Sequence, residues 1–76
     1  MTTNALLAKL TARGKFYDIT YNCEFHGLVT EQLKLKDYGV TTGGNVWTLF
    51  DTGKRTSDGL LLTHIKDIDI VDVNRI

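Results

Sequence analysis

The chain has no proline and a single cysteine, Cys23, among its 76 residues. One thiol closes no intramolecular disulfide, and no zinc set can be assembled around it, so the chain suits a reducing interior such as the cytoplasm. Charge of one sign is also missing. Nine basic and nine acidic side chains cancel, which removes the whole-protein field that draws basic proteins onto nucleic acid or anionic membrane. No apolar run approaches the roughly 20 residues that span a bilayer, and Met1-Thr2-Thr3-Asn4 lacks the basic-then-apolar order of a signal peptide. These absences predict a soluble, unexported protein whose nucleic-acid contacts, if any, are confined to a local patch.

What is present is ordinary globular material: 42% hydrophobic and 24% charged residues, away from the disordered and membrane classes. At this length one domain with one modest core is all the chain can build. With proline absent, the seven glycines alone punctuate the sequence and divide it into elements.

Residues 1–14 read as a short helix of about ten residues. Asn4 is placed to cap it, Leu6, Leu7 and Leu10 gather on one side, and Gly14 ends it after Lys9 and Arg13. Such a helix is too short to persist alone in water, so its leucine face must dock. From Gly14 the period changes to two. Tyr17, Ile19 and Tyr21 form the better core face of a first strand, and Asn22 to Gly27 supplies turn chemistry. The second strand follows, with Val29, Glu31, Leu33 and Leu35 on one face. Asp37-Tyr38-Gly39 marks a bend and Thr41 to Asn45 a tight turn.

A third strand runs from Val46 to Phe50, with Trp47 and Leu49 on one face and Val46, Thr48 and Phe50 on the other; Trp47 is expected in the core or at a hinge. Asp51 to Gly59 is polar and reads as the longest loop. Leu60-Leu61-Leu62 opens a fourth strand, and a fifth alternates from Ile68 to Val73, with Ile65, Ile68 and Ile70 in the core and the aspartates solvated. One helix and about five short strands without long crossovers predict a mainly β fold, a small antiparallel barrel over residues 15–76 that closes to remove its edges.

The residues in this order resemble the WYL domain, a small SH3-like, Sm-like β-barrel of bacterial transcription regulators. Ile19-Thr20-Tyr21 resembles its opening strand, Gly27 its glycine turn, and Val29 to Leu33 its next strand. Gly43-Gly44-Asn45-Val46-Trp47-Thr48-Leu49 stands where the family's Trp-Tyr-Leu follows a glycine-rich turn, and Leu60 to Ile65 resembles the closing segment in hydrophobic outline. Trp47, Leu49, Leu62 and Ile65 match closely. The resemblance implies an SH3-like barrel, and in the family basic residues on that barrel are thought to sense nucleotide or nucleic-acid ligands. Here Leu61 and His64 occupy the two arginine positions and Thr48 the middle tyrosine, so the resemblance carries the fold further than the ligand site. A more general resemblance is to small standalone SH3-fold proteins, many from bacteriophages.

No catalytic constellation emerges. His26 and His64 lack a partnering serine or cysteine motif, and Asp67, Asp69 and Asp72 read as a solvated acidic face rather than a metal site. No cofactor and no metal are expected. Lys54 and Arg55, beside Thr52, Thr56 and Ser57, are the best local candidates for contacting phosphate; Lys34 and Lys36 add to them if their strand lies alongside. Phe25 in a turn and Tyr38 at a bend are the aromatics expected at the surface, as contacts for protein or nucleic acid. His64 is a candidate ligand contact by its place in the resemblance.

The expected function is therefore that of a non-enzymatic binding or regulatory module acting through a protein partner, as a bacteriophage accessory or host-modulating protein would. A nucleotide or single-stranded nucleic-acid binder is the alternative. Membrane association is not expected, and edge strands offer a route to homo-oligomers.

Overall fold

A computed structural model describes residues 1–76. Helix α1 spans Thr3–Lys9. Its N-cap is Thr2, whose hydroxyl accepts from the Ala5 N–H at 3.1 Å, so Asn4, the expected cap, lies inside the first turn. The helix stops at Lys9, earlier than expected, with Leu10 as C-cap. Gly14 is not its terminator: at φ +80° it swings the chain into the sheet, and its N–H donates to the Leu35 carbonyl at 2.7 Å. Leu6 and Leu10 are wholly buried, so tertiary docking holds this short helix.

The remaining chain forms β1 (Phe16–Cys23), β2 (Gly27–Val40), β3 (Val46–Thr56), β4 (Gly59–Thr63), a 3-10 turn (Asp67–Asp69) and β5 (Ile70–Arg75). All pairings are antiparallel, in the order β4-β3-β2-β1-β5. The expected closed barrel is not formed. β4 and β5 are the two edges of one open sheet, which curls through register breaks after Thr20, Leu35 and Asp51; an irregularity of this kind bends a strand and raises its local twist.

Those breaks account for two further differences. Asp37-Tyr38-Gly39 is not a bend at the end of a strand but part of β2, which continues to Val40. The polar run Asp51–Gly59 is not a loop: β3 continues through it to Thr56, and only Ser57 and Asp58 connect it to β4. Gly53 sits in this break at φ +79°, a backbone conformation that costs a side chain bearing Cβ but not glycine. Polarity misled here because this part of β3 extends past the core, where strand residues need not be apolar.

The core unites Leu6 and Leu10 of α1 with Tyr17, Ile19, Leu33, Leu35, Val46, Phe50, Ile65, Ile70 and Val73. Tyr17 and Ile19 lie on the face expected to be buried. On β3 the buried residues are Val46, Thr48 and Phe50, while Trp47, expected in the core or at a hinge, is 39% exposed and outside the core. Ile68 is also misplaced by alternation. It lies in the 3-10 turn, 81% exposed, and Val73 joins the core instead.

Candidate functional site

After Thr63 the chain leaves the β4 ladder, yet it stays against β3 through side chains. The buried Thr48 hydroxyl donates to the Ile65 carbonyl at 2.7 Å and accepts from the Ile65 N–H at 3.4 Å. Asp67 accepts from the Val46 N–H at 2.9 Å through Oδ2 and from the Ile68 N–H at 2.8 Å through Oδ1. Its carboxylate thus serves the backbone, not a solvated acidic face. His64 Nδ1 lies 2.8 Å from the Thr48 carbonyl; a carbonyl only accepts, so Nδ1 carries the hydrogen and Nε2 is left for another group. This lacing satisfies the backbone where no strand does so, and it turns Ile68 outward.

A groove of about 340 Å³ results, with Trp47, His64, Ile65 and Ile68 along it and Lys66 and Asp67 beside them. Across His64 and Lys66 lies a second cleft of about 380 Å³, bounded by the β1–β2 hairpin with Cys23 and Phe25. A third, of about 560 Å³, includes Tyr21, Glu31, Leu33, Lys54, Leu61 and Thr63. Burial, and then the nearby Glu31 carboxylate, push the Tyr21 phenol above its usual pKa. His64 belongs to the first two clefts, and Thr63 to the second and third, so the Thr63–Lys66 connection is where all three meet.

The expected contact residues are divided among these places. His64 lies in the connection, and the 84% exposed Phe25 lines the cleft beside it. Lys54 lines the third cleft but shares it with Glu31, and Arg55, paired with Leu60 on β4, does not line it. Lys34 sits opposite Asp51 with its ammonium 6.0 Å from the Phe16 ring. Lys36 is exposed at the β2 register break. Neither lysine lines the cleft that holds Lys54. Tyr38 is not an exposed contact. It is half-buried against the core under the Arg13 guanidinium, 4.6 Å from its ring centroid.

Arg13 in turn bonds the Asp37 carboxylate at 2.7 Å, and this contact, with the Tyr38 N–H, holds the Asp37 carboxyl below its usual pKa. No three His, Cys, Asp or Glu side chains are gathered as metal ligands, and no helix is long and apolar enough to cross a membrane.

Sequence reasoning missed Trp47 and Ile68 as surface residues. A signal for Trp47 lay in the sequence: Val46, Thr48 and Phe50 offer a complete alternate face, which can fill the core without it. For Ile68 there was none, because a 3-10 turn between two extended stretches leaves no periodic mark. Comparison with family models, with curated proteins and with solved structures returns no match.

Proposed function

We propose that the chain is a non-enzymatic binding module that engages a protein partner through the groove beside Trp47, taking up an apolar side chain of that partner. The observation that carries this reading is the pairing of an exposed tryptophan and an exposed isoleucine along one groove, with His64 Nε2 beside them as a polar handle. Exposed apolar side chains along a groove suit protein recognition, and tryptophan is enriched among residues that dominate binding energy. Zero net charge weighs against the oligonucleotide reading, whose affinity depends on clustered cations, and Lys54 shares its cleft with Glu31 and with no other basic residue.

An SH3-like, WYL-like kinship remains part of this proposal. The β1-β2-β3-β4 meander, with β5 returning beside β1, is one pairing, β4 with β5, short of such a barrel.

Selection from a displayed random peptide library, followed by fluorescence anisotropy of the selected peptides carrying a dye label, tests the reading. Peptides with an apolar anchor whose binding is lost in Trp47→Ala are the expected result. Salt-sensitive binding of single-stranded DNA or RNA, unaffected by Trp47→Ala and lost in Lys54→Ala, would overturn it in favour of the nucleic-acid alternative.

A further inference from the structure

We infer that β4 is a self-pairing edge through which two copies of this chain join antiparallel, centred on Leu61. The inference does not rest on the groove beside Trp47. β4 reads Gly59-Leu60-Leu61-Leu62-Thr63 and pairs only with β3. It carries no charge and no proline, and its three leucines are each 41–42% exposed. Edge strands are ordinarily protected by charge, proline or a covering element, and β4 has none of these.

The opposite edge is protected. Alongside β5 the Met1 amino group donates to the Ile70 carbonyl at 2.8 Å, and Lys9 of α1 reaches Asp72 at 3.6 Å. A head-to-tail union of β4 with β5 of another copy would have to displace these contacts. A two-fold union of β4 with itself displaces nothing, and it closes at two copies instead of propagating.

The register follows from the backbone. The Leu61 carbonyl accepts from the Thr52 hydroxyl of β3 at 2.8 Å, so Leu61 directs its peptide groups toward β3. Alternation then turns the N–H and C=O of Leu60 and Leu62 to the free edge. The antiparallel register that engages both residues of each copy places Leu60 opposite Leu62 and Leu61 opposite Leu61. Every central cross-strand pair is then leucine on leucine, a favourable contact on either face of the joined sheet. At the ends, Asp58 of each copy falls opposite His64 of the other, so no like charges meet.

Sedimentation velocity over a range of concentrations tests the union, with Leu61→Lys as the disrupting variant. The native chain is expected to double in mass as concentration rises, and Leu61→Lys to remain monomeric. A chain that stays monomeric throughout would overturn the inference. The register is tested in a Cys23→Ser background, so that no native thiol competes. Leu61→Cys treated with diamide is expected to form a covalent dimer faster than Ser57→Cys, since Cα atoms across a non-hydrogen-bonded antiparallel pair lie within disulfide reach. Mixed Leu60→Cys and Leu62→Cys chains should cross-link to each other in preference to themselves. Leu61→Cys reacting no faster than Ser57→Cys would reject the β4 register even if a dimer exists.

Discussion

The indole of Trp47 lies across the Cα of Gly39, its partner on the neighbouring strand. A Cβ at position 39 would fall 2.6 Å from Nε1, 2.8 Å from Cε2 and 2.9 Å from Cζ2 of the ring. Gly39 does not have the positive φ of Gly44 or Gly53, so glycine is required here for space and not for backbone conformation. The strand leaves a bare surface on which the ring lies flat, and this fixes one wall of the proposed groove.

Gly39→Ala should therefore push the ring off its seat without straining the backbone. The expected cost is about 1–3 kcal/mol, the range for overpacking a close contact, or less if the half-exposed ring swings freely into water. Urea unfolding measures the cost. Tryptophan emission should move to longer wavelength in the folded state.

Thr48→Val keeps the shape of a buried side chain but removes the hydroxyl that both donates to and accepts from Ile65. Loss of about 1–3 kcal/mol is expected for stranding those buried groups. Hydrogen exchange should show the Ile65 amide losing protection, because the connection is held to β3 by side chains and not by a ladder.

Tyr17 is buried, and its hydroxyl accepts from the Ala12 N–H at 3.1 Å and donates to the Ala12 carbonyl at 3.3 Å. Tyr17→Phe leaves the ring in the core and releases the segment between α1 and β1. A loss of about 1 kcal/mol in denaturant unfolding is expected.

Asp37 makes a pH-dependent contribution. Its folded pKa is depressed, first by the Arg13 guanidinium and then by the Tyr38 N–H. Stability from this site is therefore fully present above the unfolded carboxylate value of about 3.9 and is lost as pH falls through the lower folded value. The pair is at the surface, so the effect is small and screened by salt. In Arg13→Gln the Asp37 titration, followed by carboxyl-carbon NMR, should move back toward the ordinary value. An unmoved titration would show that Arg13 is not the cause.

Ile68→Ser removes an exposed side chain that contributes nothing to the core. Urea unfolding should leave stability within about 0.5 kcal/mol of the native chain. Binding of any peptide selected through the groove should fall sharply, and the contrast between the two measurements separates recognition from folding.

Much of this molecule was legible from its alternation. Ile19 on β1 and Leu33 and Leu35 on β2 declare their inner face because their neighbours are polar, and a turn within the expected Asn22–Gly27 stretch forms at Glu24 to His26, between β1 and β2. The candidate site was less legible. His64 was expected as a contact from its place in the resemblance and Phe25 from its turn, and both line the cleft beside the hairpin. Trp47 and Ile68 were not expected at the surface, because hydrophobicity predicts burial and cannot report that other residues have already filled the core.

Composition and period by themselves determined the dominance of β structure, the docking helix and the zero net charge. These depend on local pattern and on sums over the chain. Three things were decided only in the tertiary structure. Alternation defines two faces of β3, but packing against the shared core chose Val46, Thr48 and Phe50, and the bare surface of Gly39 received Trp47 on the other. The polar half of β3 became strand because β4 pairs with it across a register break. The sheet stayed open because closure requires β4 to meet β5, and that depends on accumulated curl and on the path from Thr63 to Ile70, which no local pattern encodes.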